Sequence, residues 1–135
     1  MLEMLLVLVV LMAILAITIP GYQGLAVKKE EQRFFEILQQ DVYYAQSQSL
    51  ESKQVVKIAF RETKRAYDVY MDTHIPGQTR KLPDSVTLKK SSNLSEIKFN
   101  DSGSVVQSGT FHFGTSSGEK TMVVHLGGGR VVFSE

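Results

Sequence analysis

The sequence predicts an α+β protein in which one long N-terminal helix, membrane-spanning over its first half, packs on a small antiparallel β head. Two observations predict this fold class. Apolar side chains run almost without interruption from residue 4 to residue 19, and beyond about residue 52 their spacing changes from helical to alternating. The 135 residues suffice for one compact head and one further segment, but not for two ordinary domains.

The apolar run at the N-terminus decides most of the organisation. Residues 4–19 (MLLVLVVLMAILAITI) contain Thr18 as their one polar side chain. With Met1 and Leu2 the stretch approaches the about 20 apolar residues that span a bilayer. A helix that is apolar on every side must lie in lipid or be enclosed by protein. We therefore expect a transmembrane and assembly helix at 1–21, its amphipathic continuation at 22–52 and an extracytoplasmic β-rich head at 53–135.

A secretory signal peptide is the alternative interpretation of this segment. It predicts a basic region, a shorter apolar core and a small-residue cleavage site. The charge before the run is the acid Glu3, and residues 19–22 (IPGY) offer no such site. Lys28 and Lys29 follow the span, which opposes the positive-inside rule. A short basic leader, removed from the mature chain, would reconcile these charges with a head outside the cytoplasm.

Pro20 and Gly21 should kink the helix or melt one turn, because proline lacks an N–H group and clashes with the preceding turn. Beyond them, apolar residues at helical spacing form the stripe expected to seat the head: Phe34, Leu38, Val42 and Ala45, widened by Phe35, Ile37 and Tyr43. The opposite face is expected to be solvated: Lys28, Glu31, Arg33, Glu36, Gln40 and Gln46.

The remaining chain alternates like a β protein. Strands are predicted at 54–60, 66–72, 85–89, 96–100, 110–114, 120–126 and 130–134. Residues 61–65 should be the turn of a first hairpin, and residues 74–83, which contain Pro-Gly and Pro-Asp, a loop. Two connections supply the positive-φ glycines that tight turns need: residues 101–103 and the head turn Gly127, Gly128 and Gly129.

The N-terminal segment resembles the class III signal region of type IV pilins and pseudopilins. In that family a glutamate precedes an apolar run and stands seventeen residues before a proline, and Glu3 and Pro20 keep this separation. The resemblance implies that Glu3 is the subunit-assembly residue, which neutralises the N-terminal ammonium of a neighbouring subunit. It also implies processing and methylation by a prepilin peptidase.

The head resembles GspH-like minor pseudopilins, and within that group the ComGD-type subunits of Gram-positive competence systems. Residues 97–103, 108–111 and 123–132, which end in a glycine-rich GRV hairpin, carry this resemblance. It implies a structural role in DNA uptake during transformation, at the cell membrane and then on the cell surface. The implied partners are the major and other minor pseudopilins, the prepilin peptidase, and the assembly platform protein with its ATPase.

Catalytic and metal chemistry find little support in the sequence. The chain has no cysteine, which excludes disulfides and thiolate sites. His74, His112 and His125 lack the spacing of a metal site, and no Gly-x-Ser-x-Gly elbow accompanies the serines. The Gly127–Gly129 run precedes a strand rather than a helix, unlike a phosphate cradle. We therefore expect neither an enzyme nor a cofactor.

Four basic pairs raise the question of direct DNA binding: Lys28/Lys29, Lys64/Arg65, Arg80/Lys81 and Lys89/Lys90. Phosphate recognition needs a clustered basic face. These pairs are scattered in sequence among nearly as many acids, 14 against 15 basic residues. Ordinary solvated charge is the interpretation we favour over DNA binding.

Two alternatives stay open at this point. The chain could be a pseudopilin of a type II secretion system, or a single-pass sensor or adhesin domain that its helix merely anchors. In the last case Glu3 would only be an interfacial acid, favoured by the dipole at the start of the helix.

Overall fold

The computed structural model describes residues 1–72, 75–126 and 130–134. The helix α1 spans Leu2–Ser52 and ends at Lys53, whose backbone is left-handed at φ 54°. The strands of the described chain follow in this order: β1 Val56–Arg61, β2 Ala66–Asp72, β3 Ile75–Lys81, β4 Thr87–Leu88, β5 Glu96–Phe99, β6 Gly109–Thr115, β7 Gly118–Val124 and β8 Val131–Ser134. The long helix with an antiparallel head confirms the predicted fold class.

The strands form two antiparallel sheets of four strands each. Sheet A has the order β3-β2-β1-β5 and sheet B the order β4-β6-β7-β8. The predicted first hairpin is present, since β1 pairs with β2 from Arg61↔Ala66 to Lys57↔Tyr70. The β6–β7 hairpin is equally regular, from Gly109↔Val124 to Thr115↔Gly118.

The core lies between the two sheets and one face of α1. Leu38, Val42 and Ala45 of the predicted stripe are fully buried. Aromatic rings connect the layers, because Phe35 of the helix packs edge-on against Phe113 of sheet B at 5.5 Å between ring centroids. Phe60 of sheet A packs on Phe111 of sheet B at 5.0 Å between ring centroids.

Two elements differ from the sequence prediction. The predicted loop 74–83 contains strand β3, which accommodates Pro76 because β3 is an edge strand and the pairing shifts register beside it. The predicted strand 85–89 shrinks to Thr87–Leu88. The Arg65 guanidinium binds the carbonyls of Pro83, Asp84 and Val86 there, and holds the backbone in a turn.

The α-helix continues through Pro20 and Gly21, so the predicted melted turn is wrong. Helical sequence on both sides outweighs the local penalty of a proline, about 3 kcal/mol. A change in the direction of the helix axis at this point stays a prediction.

Three residues of the helix differ in burial from the prediction. Glu31, expected in solvent, is buried, and Gln46 is half-buried and donates a hydrogen bond to the Gly103 carbonyl at 3.0 Å. Tyr43, expected in the stripe, is exposed. At about 100° per residue, a side chain seven residues before Leu38 (Glu31) or four after Val42 (Gln46) lies on or next to the stripe. Tyr43, five residues after Leu38, is turned away from it by about 140°.

A buried polar cluster fixes the helix on sheet A. The Asp41 carboxylate on α1 accepts hydrogen bonds from the Tyr67 hydroxyl at 2.6 Å and from Arg80 Nε at 2.5 Å. Burial, together with the Asp41 hydrogen bond, raises the pKa of Tyr67 above its ordinary value. The hydrogen bond to Asp41 raises the pKa of Arg80. Tyr67 is therefore a neutral donor and Arg80 a cation throughout the physiological range.

A second carboxylate fixes the helix on sheet B. Glu31 accepts hydrogen bonds from the Ser116 N–H at 2.8 Å and the Ser116 hydroxyl at 3.0 Å, in the β6–β7 turn. Burial opposes ionisation of this carboxyl, but the Ser116 hydrogen bonds and the charge of Lys28 outweigh it and lower the pKa of Glu31. The ionised form of Glu31 is thus favoured by folding.

Gly103 has the positive φ that the sequence predicted for the 101–103 connection, at 77°. A Cβ atom at this position would lie 2.6 Å from Leu50 Cγ, so the loop also approaches the helix closely. The other predicted glycine turn, Gly127–Gly129, lies outside the described residues.

The helix and strand boundaries predict that a fragment of residues 28–135 folds alone as a soluble monomer. It keeps the buried face of α1 and loses the exposed apolar residues before it. Circular dichroism should show mixed helix and strand, and sedimentation a monomer. An unfolded or almost entirely helical fragment would contradict the fold.

Gly103→Ala should destabilise the head by about 1 to 2 kcal/mol, the penalty for a side chain in a left-handed conformation. The measurement is the urea midpoint of the 28–135 fragment. The Leu50→Ala background separates this penalty from the steric contact, and there Gly103→Ala should still lower the midpoint. An unchanged midpoint in both backgrounds would show that φ at this turn is unconstrained.

Glu31→Gln should reduce the free energy of unfolding by about 1 to 2 kcal/mol at pH 7, because a charged acceptor is replaced by a neutral one. A carboxyl with a lowered folded pKa contributes stability above its unfolded pKa, and that contribution disappears as pH falls through the folded value. The difference between wild type and variant should therefore shrink below about pH 4. Glu30→Gln, at an exposed neighbour, is the control. A difference that is equal at pH 7 and pH 3 would contradict the ionised Glu31–Ser116 contact.

Candidate functional site

The first half of α1 projects from the head without any cover. All side chains of residues 1–26, called here the projecting segment, are exposed, and the first buried residue of the helix is Glu31. At 1.5 Å per residue, about 40 Å of apolar helix extends away from the head. An apolar surface of this size on a single chain marks a membrane or protein contact.

The projecting segment has the length and composition of a membrane span. The one hydroxyl within its apolar run of residues 4–19 needs no outside partner, because Thr18 Oγ1 donates to the carbonyls of Ile14 at 3.1 Å and Leu15 at 3.2 Å. The segment therefore presents hydrocarbon and internally satisfied polar groups along most of its length, as a lipid environment requires.

Glu3 is the one charged side chain of the projecting segment. It lies in the first turn of α1, where the N-terminal end of the helix dipole favours a negative charge, and its side chain is exposed. Within the described part of the chain, no basic side chain forms an ion pair with Glu3. Among the described residues, this carboxylate is therefore left accessible to a partner outside the chain.

The histidines form no metal site in the described residues. His112 Nδ1 lies 2.6 Å from Glu119 Oε1, and the same carboxylate accepts from Lys89 Nζ at 2.8 Å. The hydrogen bonds from Lys89 and then from His112 lower the pKa of Glu119. His125 contributes its backbone N–H to the Arg130 carbonyl, and His74 lies outside the described residues.

The basic pairs are only partly brought together. Arg80 is bound by Asp41, and Lys28 and Lys29 lie on the exposed helix surface. Arg65 and Lys90, however, line one cavity of the head although they are distant in sequence. The sequence did not predict this proximity.

Sequence reasoning missed the residues that hold the helix on the head, and one signal could have found them. Asp41 lies within the apolar stripe, three residues after Leu38 and directly before Val42. A carboxylate at such a position must find buried donors, because an unpaired buried charge is strongly unfavourable. Nothing in the sequence identifies Tyr67, Arg80 or Ser116 as those donors.

No protein-family model and no curated protein sequence matches the chain. Among solved structures, it is similar to the type IV minor pilin FimU of Pseudomonas aeruginosa, with a TM-score of 0.63 and 17% identity over 80% of this chain and 90% of that one. It is also similar to the minor pseudopilin EpsH from the type 2 secretion system of Vibrio cholerae, with a TM-score of 0.56 and 12% identity over 80% of this chain and 95% of that one. The chain therefore has the fold of type IV minor pilins and pseudopilins.

Proposed function

We propose that this chain is a minor pseudopilin, a nonenzymatic structural subunit of a type IV-like filament. The observation that carries the proposal is the projecting segment, an uncovered apolar helix that begins with Glu3 and leads into a head of the pilin fold. The helix lies in the membrane before assembly and in the filament core afterwards, and the head remains outside the cytoplasm.

The apolar side chains explain how the subunit is held in the membrane, but not why it enters the filament. Residues such as Leu8, Leu11 and Leu15 gain about 1.5 to 3 kcal/mol each when they leave water. Lipid and a bundle of apolar helices offer these side chains similar surroundings. The hydrophobic free energy therefore changes little when the helix moves from one to the other. Selection must therefore involve polar groups.

Glu3 is the polar group that can act in this way. A carboxylate deep in a bilayer costs about 2.5 to 3.5 kcal/mol on the lenient insertion scale, so it gains from any cation that reaches it. The N-terminal ammonium of a neighbouring subunit supplies such a cation in the filament. Formation of this pair fixes the axial position of one helix relative to the next.

Among filament systems, we propose a competence (transformation) pseudopilus, on the resemblance of the head to ComGD-type subunits. Its partners would be the major and other minor pseudopilins, the prepilin peptidase, and the assembly platform protein with its ATPase. A type II secretion pseudopilus is the second candidate, which the similarity to EpsH supports equally. A chain that is merely anchored, as a sensor or adhesin, would not need Glu3.

Glu3→Ala should leave membrane insertion and head folding intact, because removal of a charge next to the span eases insertion. Assembly should fail or weaken strongly. The neighbour's ammonium would be stranded in a low-dielectric environment, and loss of one partner of a buried pair costs about 3 to 5 kcal/mol, hundreds-fold or more in the equilibrium constant for subunit addition.

The measurements for Glu3→Ala are membrane extraction, crosslinking to the major pseudopilin and transformation frequency, in the cells from which the gene comes. Glu36→Ala, which removes an exposed acid from the same helix outside the apolar span, is the matched control. If the Glu3 variant crosslinks normally, Glu3 has no role in assembly and is only an acid at the membrane interface. Loss of protein secretion with normal transformation in a deletion strain would favour the secretion pseudopilus.

A further inference from the structure

A groove runs along the head where sheet A and sheet B approach each other near β4. One cavity of about 270 Å³ has Phe60, Ala66, Leu82, Val86 and Leu88 among its apolar lining residues. A second cavity, of about 500 Å³, continues from it towards residues 89–95. Both cavities are lined by Phe60, Glu62, Leu88 and Lys90, so we treat them as one site, the Phe60 groove.

The floor of the Phe60 groove is fixed by the core. The Phe60 ring packs on Tyr67 at 5.4 Å, Phe111 at 5.0 Å and Phe113 at 5.8 Å between centroids. Val86 is fully buried and Ala66 nearly so. The cavity is therefore formed before any partner arrives, and its apolar lining suits an apolar side chain.

One border of the groove is an open sheet edge. β4 is the outer strand of sheet B and pairs with β6 on one side only. The Lys89 N–H donates to the His112 carbonyl, and in an antiparallel ladder alternate residues point their backbone groups towards the partner strand. The N–H and C=O of Leu88 therefore point away from β6, where an extended chain can pair with them.

The charge around the groove is positive. Its charged lining residues are four cations and one acid: Arg61, Arg65, Lys89, Lys90 and Glu62. Arg61 is paired with Asp68 at 2.6 Å and Lys89 with Glu119 at 2.8 Å. Within the described chain, Arg65 and Lys90 form no ion pair with a carboxylate. Arg65 Nη2 already donates to three backbone carbonyls, so Arg65 contributes its positive charge from a fixed position. Lys90 is the more adaptable of the two cations that can attract a negative partner.

We propose that the Phe60 groove binds an extended acidic segment of another protein. One apolar side chain of the segment enters the cavity above Phe60, its backbone pairs with Leu88 at the edge of β4, and its carboxylates lie against Lys90 and Arg65. The site is on the head, apart from the projecting segment, and it does not depend on the filament role of Glu3.

The test uses the full chain in neutral detergent as bait for a library of random peptides displayed on phage. The selected peptides should share an apolar residue flanked by Asp or Glu. Their dissociation constants are then measured by fluorescence anisotropy with labelled synthetic copies. Selection of no such motif would overturn the proposal.

Two exposed charge variants test where the selected peptide binds. Lys90→Glu should weaken binding by about tenfold, because an attraction becomes a repulsion. Glu62→Lys should tighten it by about threefold, a gain that misfolding cannot produce. Lys98→Glu makes the same charge change at an exposed position of β5, outside the groove, and should have little effect.

Three further results would contradict the proposal. Equal weakening by Lys90→Glu and Lys98→Glu would indicate nonspecific charge attraction. Unchanged affinity after N-methylation of the peptide backbone would exclude pairing with β4. Tighter binding of a single-stranded DNA oligonucleotide, competing with the peptide and weakened by Lys90→Glu, would make the groove a nucleic-acid site instead.

Discussion

One continuous helix has to satisfy two environments, and this constraint governs the rest of the structure. Its first half is exposed hydrocarbon that needs lipid or other helices around it, whereas its second half must be buried on one face and solvated on the other. Because the backbone does not break between the halves, any force on the projecting segment reaches the head directly. The head must therefore hold the helix firmly while leaving the first 26 residues uncovered.

The head meets this requirement with two carboxylates of the helix. Apolar packing of Leu38, Val42 and Ala45 favours burial of the stripe, but it tolerates small rotations and shifts. Glu31 binds the β6–β7 turn of sheet B, and Asp41 binds sheet A through Tyr67 and Arg80. The two contacts are ten residues, or about 15 Å, apart along the helix. Together they fix the rotation and the axial position of the helix on both sheets. Buried polar groups in this role restrict the helix to one arrangement more than they increase the free energy of unfolding.

The sequence predicted the elements that depend on local pattern and missed those that depend on distant partners. The apolar run, the stripe and the hairpin β1–β2 follow from spacing alone. Strand β3 was missed because Pro76 and Gly77 indicate a loop unless one knows that the strand lies at a sheet edge. Glu31 was assigned to solvent because its donor, Ser116, is 85 residues away. For the same reason the sequence could not predict that Arg65 and Lys90 line a common cavity.

The division between helix and head also bears on the proposed role, because a minor subunit must be distinguished from similar ones. An apolar helix exchanges lipid for protein with little gain, so many such helices could enter the same filament. In the proposed filament, Glu3 favours assembly over the free membrane state and sets the axial position of its own helix, but one carboxylate near a helix end does not tell one such subunit from another. Distinction must then come from the heads, where folding brings together groups that are distant in sequence. The Phe60 groove is such a feature, since its apolar floor, its open strand edge and two cations that pair with no carboxylate of the described residues come from three separate parts of the chain.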